Sequence, residues 1–148
     1  MKSLIEYAKS FITVPYKWGG NSPIFGYDCS GFIQEVLKSV GLDPAGDQSA
    51  QALYDHLSKK SISKKASAGC IAFFGESVHR ITHVALVIND TQMIEAGGGG
   101  AEVTGIHIAD SKSAFIRIRL LSNRNDCCAI LFPDYPIWLL NEMINDRS

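Results

Sequence analysis

The sequence predicts an α+β fold in which N-terminal helices pack on an antiparallel β-sheet. Apolar residues recur at helical spacing through the first 58 residues, whereas the later apolar runs are short and bounded by turn residues, as strands are. Helices followed by strands are typical of an α+β domain. Neither an internal repeat nor a linker interrupts the 148 residues, so we expect one domain spanning residues 1–148.

Capping and turn residues bound the expected helices. Ser3 and Glu6 match a capping box that opens the first helix, and Pro15 ends that helix. Gly41 is the expected C-terminal stop of the second helix. The loop between these two helices is expected over residues 16–28. The second, third and terminal helices are expected over residues 29–40, 48–58 and 137–144.

The expected strands are short apolar runs separated by turn residues. Asn89 and Asp90 mark the turn of one hairpin, and Pro133 with Pro136 closes the last strand. The strands are expected over residues 70–74, 82–88, 91–96, 102–108, 115–121 and 127–132. Because the helices come first and the strands later, we expect the sheet to be antiparallel.

Composition excludes several classes of protein. The chain is 46% hydrophobic and 20% charged with a net charge of -1, so no basic surface for nucleic acid is expected. No apolar run reaches the roughly 20 residues that span a bilayer, so no membrane segment is expected. The N-terminus lacks the apolar stretch of a signal peptide, which predicts a protein that is cytoplasmic as synthesised. A monomer is expected.

Four cysteines occur, and their spacing contains no C-x-x-C pair, so neither a zinc site nor any other metal site is expected. A disulfide framework is not expected either, because the chain is long enough for its own core. Cys70, Cys127 and Cys128 lie in apolar runs that predict buried strands, where cysteine is a small hydrophobe. Only Cys29 lies in a polar segment bounded by glycine.

Cys29 is placed at the start of the second helix. Unpaired backbone N–H groups and the helix dipole favour negative charge there, and hence the thiolate. Ser30 and Gly31 are small and are expected to keep the first turn open to a substrate. The alternative is a small residue packed beneath the helix, and the position alone does not decide between the two.

A nucleophilic cysteine needs a base, and His83 is the best placed of the four histidines. It begins an apolar strand that can hold an imidazole rigidly. His56, His79 and His107 are assigned to a helix surface, a polar loop and an outward-facing strand position. A strand histidine is more often structural than catalytic, so the assignment depends on the neighbours of His83.

The strand that follows His83 returns with a single acid, Glu95. If the hairpin loop has three residues, Val87 pairs with Thr91 and His83 lies directly opposite Glu95 on one face. A two-residue turn would instead pair Glu95 with Val84 and put the acid on the other face. The register therefore decides whether Glu95 can orient His83 or is a solvated strand residue.

Five short segments follow one another along the chain: P-Y-K-W-G-G (residues 15–20), D-C-S-G-F (28–32), A-F-F-G (72–75), H-V-A-L-V (83–87) and M-I-E-A (93–96). In this order they resemble the NlpC-type (NlpC / p-sixty) family of cell-wall cysteine peptidases. The resemblance covers about residues 4–121, most of the chain. The combination of the first two segments is far more specific than a lone cysteine.

The resemblance implies a papain-like core that needs no cofactor and hydrolyses peptidoglycan stem peptides, commonly at the γ-D-glutamyl–diamino-acid bond. It implies Cys29 as nucleophile, His83 as base and Glu95 as the residue that orients the base. It places the Tyr16 hydroxyl near the oxyanion and two polar residues at the substrate end of the cleft, while Trp18 either lines the cleft or is structural. The residues expected at the oxyanion and in substrate binding are Tyr16, Asp28, Ser30 and Trp18.

Some features depart from the family or add to it. Glu95 stands where the family most often has histidine, or else an amide or Asp, although a carboxylate can still accept from the ring of His83. Residues 69–71 read Gly-Cys-Ile where the family frequently has Gly-Asp-Leu. Residues 97–100 are four glycines, which predicts a flexible cleft wall or a close approach of another backbone. The region after about residue 121 is particular to this chain and could reshape the cleft.

These observations favour a peptidoglycan endopeptidase acting as a phage lysin or tail enzyme, a delivered effector or a recycling enzyme. Its partner would be the stem peptide of the wall, reached after lysis, virion delivery or specialised secretion. The alternatives are a wall amidase of the related cysteine-histidine type, an acyltransferase relative, and a catalytically silent wall-binding module. The presence of all three candidate groups argues against the silent module.

Overall fold

The computed structural model describes residues 1–98 and 104–145 of the chain. Within these two ranges the helices are α1 (Lys2–Lys9), α2 (Cys29–Lys38), α3 (Ala50–Leu57), α4 (Ile106–Ser111) and α5 (Ile137–Asn145). The strands in the same ranges are β1 (Asn21–Ser22), β2 (Gly26–Tyr27), β3 (Ile62–Ser63), β4 (Ile71–Gly75), β5 (Ile81–Val87), β6 (Gln92–Gly97), β7 (Phe115–Leu120) and β8 (Cys127–Phe132). No helix in the described part of the chain has the length and apolar character needed to cross a bilayer.

The main sheet is antiparallel, and among the described residues its six strands follow the order β3-β8-β4-β5-β6-β7. β1 and β2 form a separate two-stranded hairpin in the loop before α2. The predicted α+β class is therefore confirmed, with helices first and an antiparallel sheet after them. The sequence did not predict the two-residue strands β1, β2 and β3. That residues 1–148 form a single domain stays a prediction.

Helix α2 fixes the position of Cys29 relative to the sheet. Asp28 precedes the helix with an extended backbone, and its Oδ1 accepts a hydrogen bond from the Gly31 N–H at 2.7 Å, which caps the first turn. The helix contacts β5 and β6 through an apolar face. The fully buried residues of that face are Phe32, Ile33, Val36 and Leu37. Because the helix begins at Cys29, its first turn stands beside these two strands.

Both faces of the central strand β5 are buried over residues 83–87, each against different neighbours. Val84 and Leu86 of β5 belong to the larger core, which contains the apolar residues of α1, α2 and α3. Ala85 and Val87 belong to a second cluster on the other face. Because successive residues of a strand point to opposite faces, His83 shares the face of this second cluster. Its ring lies 5.5 Å from the ring of Phe74, a member of that cluster.

The predicted capping box at the start of α1 is wrong. The helix begins at Lys2 without a side-chain cap, and the Ser3 hydroxyl donates to the carboxylate of Glu142 on α5. Glu142, which is distant in sequence, accepts the hydrogen bond of the Ser3 hydroxyl, so this hydroxyl does not cap the helix. The helix also ends at Lys9, well before Pro15, where its end was predicted.

The predicted strand over residues 102–108 is also wrong where the structure describes it. Residues 102 and 103 lie outside the described residues, and Ile106–Ser111 form α4. His107 is consequently on a helix rather than on a strand, and its side chain is exposed. The run is too short for periodicity to separate helix from strand, and the element buries Ala109 rather than Ile106 or Ile108.

The last strand was predicted with its observed bounds, Cys127–Phe132, but the burial of its cysteines was not. Cys127 is exposed and Cys128 is only half-buried, whereas Cys70 is buried as predicted. Cys127 pairs with Phe74 at the end of the sheet, where the register between β4 and β8 shifts. The prediction that both cysteines of β8 are buried is therefore wrong, because they lie at the first residues of the strand, near the edge of the sheet, where fewer neighbours cover them.

Candidate active site

A cleft of about 470 Å³ opens beside the first turn of α2. Its walls come from the loop before β1, the start of α2, the loop before α3, and strands β5, β6 and β7. The predicted site residues that line it are Tyr16, Trp18, Asp28, Cys29, Ser30, His83 and Glu95. The structure thus brings all seven predicted residues to one cleft, although they come from distant parts of the chain.

Gly20 and Gly31, one in each N-terminal segment, are required by close packing. A Cβ at Gly31 would lie 2.2 Å from the carbonyl oxygen of Gly20, and a Cβ at Gly20 would lie 2.5 Å from the carbonyl oxygen of Gly26. The loop therefore rests directly on the first turn of α2. Gly31 does not leave this turn open to a substrate, as was expected, because the backbone of Gly20 occupies the space. The open side of the turn is the side of Cys29.

The hairpin places Glu95 on the face of His83, in a register different from the predicted one. Val87 pairs with Met93 rather than with Thr91, so the prediction that His83 and Glu95 lie directly opposite each other is wrong by two residues. A shift of two residues keeps the same face. Glu95 is therefore a diagonal neighbour of His83, and its Oε2 is in hydrogen-bond contact with the ring Nε2.

His83 is nearly buried and has two partners. Its Nε2 contacts Glu95, and the ring also interacts with the side chain of Cys29. Burial lowers the pKa of His83, but the interactions with Cys29 and Glu95 outweigh burial and raise this pKa from 6.5 to about 9. The arrangement therefore favours imidazolium over imidazole.

Glu95 is 1% exposed and its carboxylate is fully engaged. While Oε2 contacts His83, Oε1 accepts a hydrogen bond from Nη1 of Arg119 at 3.1 Å and lies 3.9 Å from Nε of Arg117. Burial raises the pKa of Glu95, but the contact with His83 and the charges of Arg119 and Arg117 outweigh burial and lower this pKa below its usual value. Glu95 is thus held as a carboxylate.

Sequence reasoning missed the arginines of the site. Arg117 and Arg119 are two residues apart on β7 and share the face of Glu95, which pairs with Arg117 in the sheet. The alternation of apolar and basic residues in β7 was the signal that could have revealed them. Arg124 also lines the cleft, where its guanidinium stacks on Phe74 and binds Asp126 through two hydrogen bonds. Arg124 lies between strands, so no alternating pattern could have revealed it. It does belong to the region after residue 121, which was expected to reshape the cleft.

Acidic and aromatic groups also line the cleft. Asp28 lines the cleft, and burial raises its pKa despite the hydrogen bonds from Gly31 and Ser30. Its Oδ1 accepts from the Ser30 hydroxyl at 3.2 Å as well as from Gly31. Tyr16 is nearly buried, whereas Trp18 is 56% exposed at the rim. The roles given to these four residues, like those of Cys29, His83 and Glu95, stay predictions.

A buried glutamine that the sequence did not reveal holds the loop before α3, which lines part of the cleft. Gln34 of α2 donates to Oδ1 of Asp43 at 3.0 Å and to the Gly46 carbonyl at 2.8 Å, and accepts from the Gln48 N–H at 2.9 Å. These bonds attach the loop before α3 to the helix that carries Cys29. Asp47, within this loop, lines the cleft.

The glycine run after Glu95 enters the cleft only in part. Gly97 and Gly98 line it, while residues 99 and 100 lie outside the described residues. A Cβ at Gly97 would lie 3.2 Å from Oε1 of Glu95. The close approach predicted for this run is thus made at Gly97 by a side-chain carboxylate rather than by another backbone. The other three histidines, His56, His79 and His107, are exposed and do not line the cleft.

Comparisons with known proteins agree with this geometry. The sequence profile of the NlpC/P60 family matches residues 13–123. The chain is 33% identical over 125 residues to the bifunctional muramidase/DL-endopeptidase CwlT of Bacillus subtilis, covering 82% of this chain and 34% of that protein. It is 37% identical over 98 residues to the gamma-D-glutamyl-L-lysine dipeptidyl-peptidase of Bacillus cereus, covering 63% of this chain and 27% of that protein. The chain therefore spans about a third or less of these relatives.

Among solved structures, the fold is similar to that of RipD from Mycobacterium tuberculosis, which is described as a non-catalytic NlpC/p60 domain protein adapted to peptidoglycan binding. The TM-score is 0.64 at 20% identity, with 88% of this chain and 94% of that chain covered. At this identity the likeness shows the fold alone.

Proposed function

The chain belongs to the NlpC/P60 family, and we propose that it is a cysteine peptidase that hydrolyses amide bonds in the stem peptides of bacterial peptidoglycan. The observation that carries the proposal is that Cys29, His83 and Glu95 meet in one open cleft, where His83 contacts Glu95 and interacts with Cys29. A nucleophile, a base and a group that orients the base are the parts that covalent amide hydrolysis needs.

In the proposed reaction Cys29 is a thiolate paired with the imidazolium of His83, and its sulfur attacks the carbonyl carbon of the scissile amide. The charge that develops on the carbonyl oxygen is stabilised by the backbone N–H of Cys29, because N–H groups in the first turn of a helix lack intrahelical partners. The Tyr16 hydroxyl is proposed as a second donor. His83 then protonates the leaving amine, and afterwards takes a proton from the water that releases the acyl group from sulfur.

We further propose the γ-D-glutamyl–diamino-acid bond as the site of cleavage. The cleft is lined by charged groups of both signs, among them Asp28, Asp47, Arg119 and Arg124. Such a cleft suits a short peptide that carries free carboxylates near the scissile bond. The Bacillus cereus relative, whose name specifies a γ-D-glutamyl-L-lysine bond, supports the same choice. Because the substrate lies outside the cell membrane, delivery by lysis, by a virion or by secretion belongs to the proposal, as does a monomeric state.

Two other functions remain as alternatives. A wall amidase or an acyltransferase would use the same cysteine and histidine on a different bond or with a different acceptor. A silent binding module is suggested by RipD, which is described as non-catalytic. The pairing of His83 with both Cys29 and Glu95 favours catalysis over this last alternative.

The proposal is tested by digesting purified peptidoglycan with the protein and identifying the fragments by mass spectrometry. We expect fragments with a new diamino-acid amine from the wild type and from Cys127→Ala, which removes an exposed cysteine outside the cleft. Cys29→Ala is expected to release none. Equal release by Cys29→Ala would refute the assigned nucleophile, and cleavage at the sugar–peptide amide would instead indicate an amidase. Absence of any product from substrates with different diamino acids would favour a binding module.

A further inference from the structure

Glu95 is a buried carboxylate that two guanidinium groups face from the neighbouring strand. Its Oε1, the oxygen not used by His83, accepts from Nη1 of Arg119 at 3.1 Å. Nε of Arg117 lies 3.9 Å from the same oxygen, is buried, and has no hydrogen-bond acceptor among the described residues. Arg117 therefore acts on Glu95 through its charge, whereas Arg119 both bonds the carboxylate and compensates its charge.

A buried carboxylate next to an imidazole has two opposite effects on catalysis. It favours the imidazolium form, but a base that holds its proton too firmly is a poor acid for the leaving amine. At 1% exposure Glu95 has little water to screen its charge. A positive group on the far side of the carboxylate reduces the field at His83 without removing the hydrogen bond that orients the ring.

We propose that Arg119 is a positioning residue that compensates the charge of Glu95, so that Glu95 orients His83 without acting on it as an isolated buried carboxylate. The proposal rests on the assignment of His83 as the catalytic base. It concerns the charge balance of the site, and Arg119 itself need not touch the reacting atoms.

Other charged or titratable groups also face this pair and must be counted. The sulfur of Cys29 faces His83 from α2, and Asp28 lines the same cleft from the start of that helix. From the turn before β8, Arg124 acts on Glu95 and Asp126 acts on His83, but these two residues are paired with each other. The arginines of β7 are therefore the cations whose charge is directed chiefly at Glu95. Within residues 1–98 and 104–145, the groups that face this pair are Asp28, Cys29, Arg117, Arg119, Arg124 and Asp126.

The test measures the titration of His83 directly, by the Cε1–H NMR signal of the substrate-free protein, assigned with a His83→Gln variant. In Arg119→Gln and Arg119→Met we expect the pKa of His83 to rise, by roughly half a unit or more, because Glu95 loses its compensating charge. In Arg119→Lys, which keeps the charge, we expect a smaller shift. Arg80→Gln is the matched control, since Arg80 is an exposed arginine that pairs with Glu76.

Each other outcome overturns the proposal. If the pKa of His83 falls in both neutral variants, Arg119 serves only to hold Glu95 against the ring. If it is unchanged, or rises equally in Arg119→Lys, charge compensation by Arg119 does not occur. Because this titration requires no substrate, it can be read even if the protein cleaves no peptidoglycan, so failure of the inference and failure of the proposed function are separate results.

Discussion

The carbonyl oxygen of Gly20 lies 2.2 Å from the point that a Cβ at Gly31 would occupy. The loop before β1 and the first turn of α2 are thus in direct backbone contact, next to Cys29. The contact joins the P-Y-K-W-G-G segment to the D-C-S-G-F segment and explains why the first has glycine at position 20 and the second has glycine at position 31.

We expect Gly31→Ala to destabilise the fold and to displace Cys29. The methyl group must push against backbone, which cannot rotate away as a flexible side chain can, and overpacking of this kind typically costs about 1–3 kcal/mol. Thermal unfolding measures the loss of stability. Gly105→Ala is the control, because a Cβ at Gly105 meets nothing within 4 Å. Equal unfolding temperatures for the two variants would contradict the assigned contact.

Glu95→Gln is expected to reduce turnover more than it reduces stability. The amide keeps the size of the carboxylate but removes the charge that stabilises the imidazolium of His83, and it leaves Arg119 and Arg117 without their anion. We expect kcat to fall roughly 10-fold or more, since orienting carboxylates of catalytic triads are worth several orders of magnitude at most. Turnover is measured on a stem tripeptide, and folding by thermal unfolding. Unchanged kcat would make Glu95 a structural acid.

The His83–Glu95 pair predicts a pH dependence of stability with a defined window. Folding raises the pKa of His83 from 6.5 to about 9, so its stabilising contribution is complete below pH 6.5 and is lost as the pH rises through about 9. Folding lowers the pKa of Glu95 from 4.5, so its contribution is present above pH 4.5 and is lost as the pH falls through the lowered value.

The unfolding temperatures of the wild type and of His83→Gln should therefore differ most between pH 4.5 and 6.5, and the difference should shrink toward pH 9. Thermal scans in buffers from acid to alkaline pH measure this difference. A gap that stays constant across the range would show that His83 titrates alike in the folded and unfolded chain.

Gln34→Glu is expected to loosen the loop before α3 and to weaken substrate binding. The glutamate keeps the acceptor for the Gln48 N–H, but it loses both donor bonds and faces the carboxylate of Asp43. Unpaired buried polar groups typically cost about 1–3 kcal/mol. We expect KM to rise while kcat changes little, because Cys29 and His83 are not moved. A fall in kcat with unchanged KM would mean that Gln34 supports the nucleophile rather than the cleft wall.

Local features account for the parts of the fold that sequence predicted correctly. The cap at Asp28 and the apolar spacing of α2 lie within a few residues of one another, so the helix start at Cys29 could be read directly. The hairpin illustrates the limit of such reading. Whether His83 and Glu95 share a face depends only on whether the register shifts by an even or an odd number of residues. Their exact pairing depends on the turn, and the observed register differs from the predicted one by two residues.

The amino-acid sequence by itself determined the α+β class, the helix start at Cys29 and the family, and it proposed the groups Cys29, His83 and Glu95, because capping residues, periodicity and motif spacing are properties of neighbouring residues. The tertiary structure alone decided what surrounds those groups. Arg119 comes from a strand 24 residues beyond Glu95, and Gln34 joins a loop to α2 across 9 to 14 residues. Such contacts form only when the sheet and helices pack, since no local rule relates residues that meet through the fold.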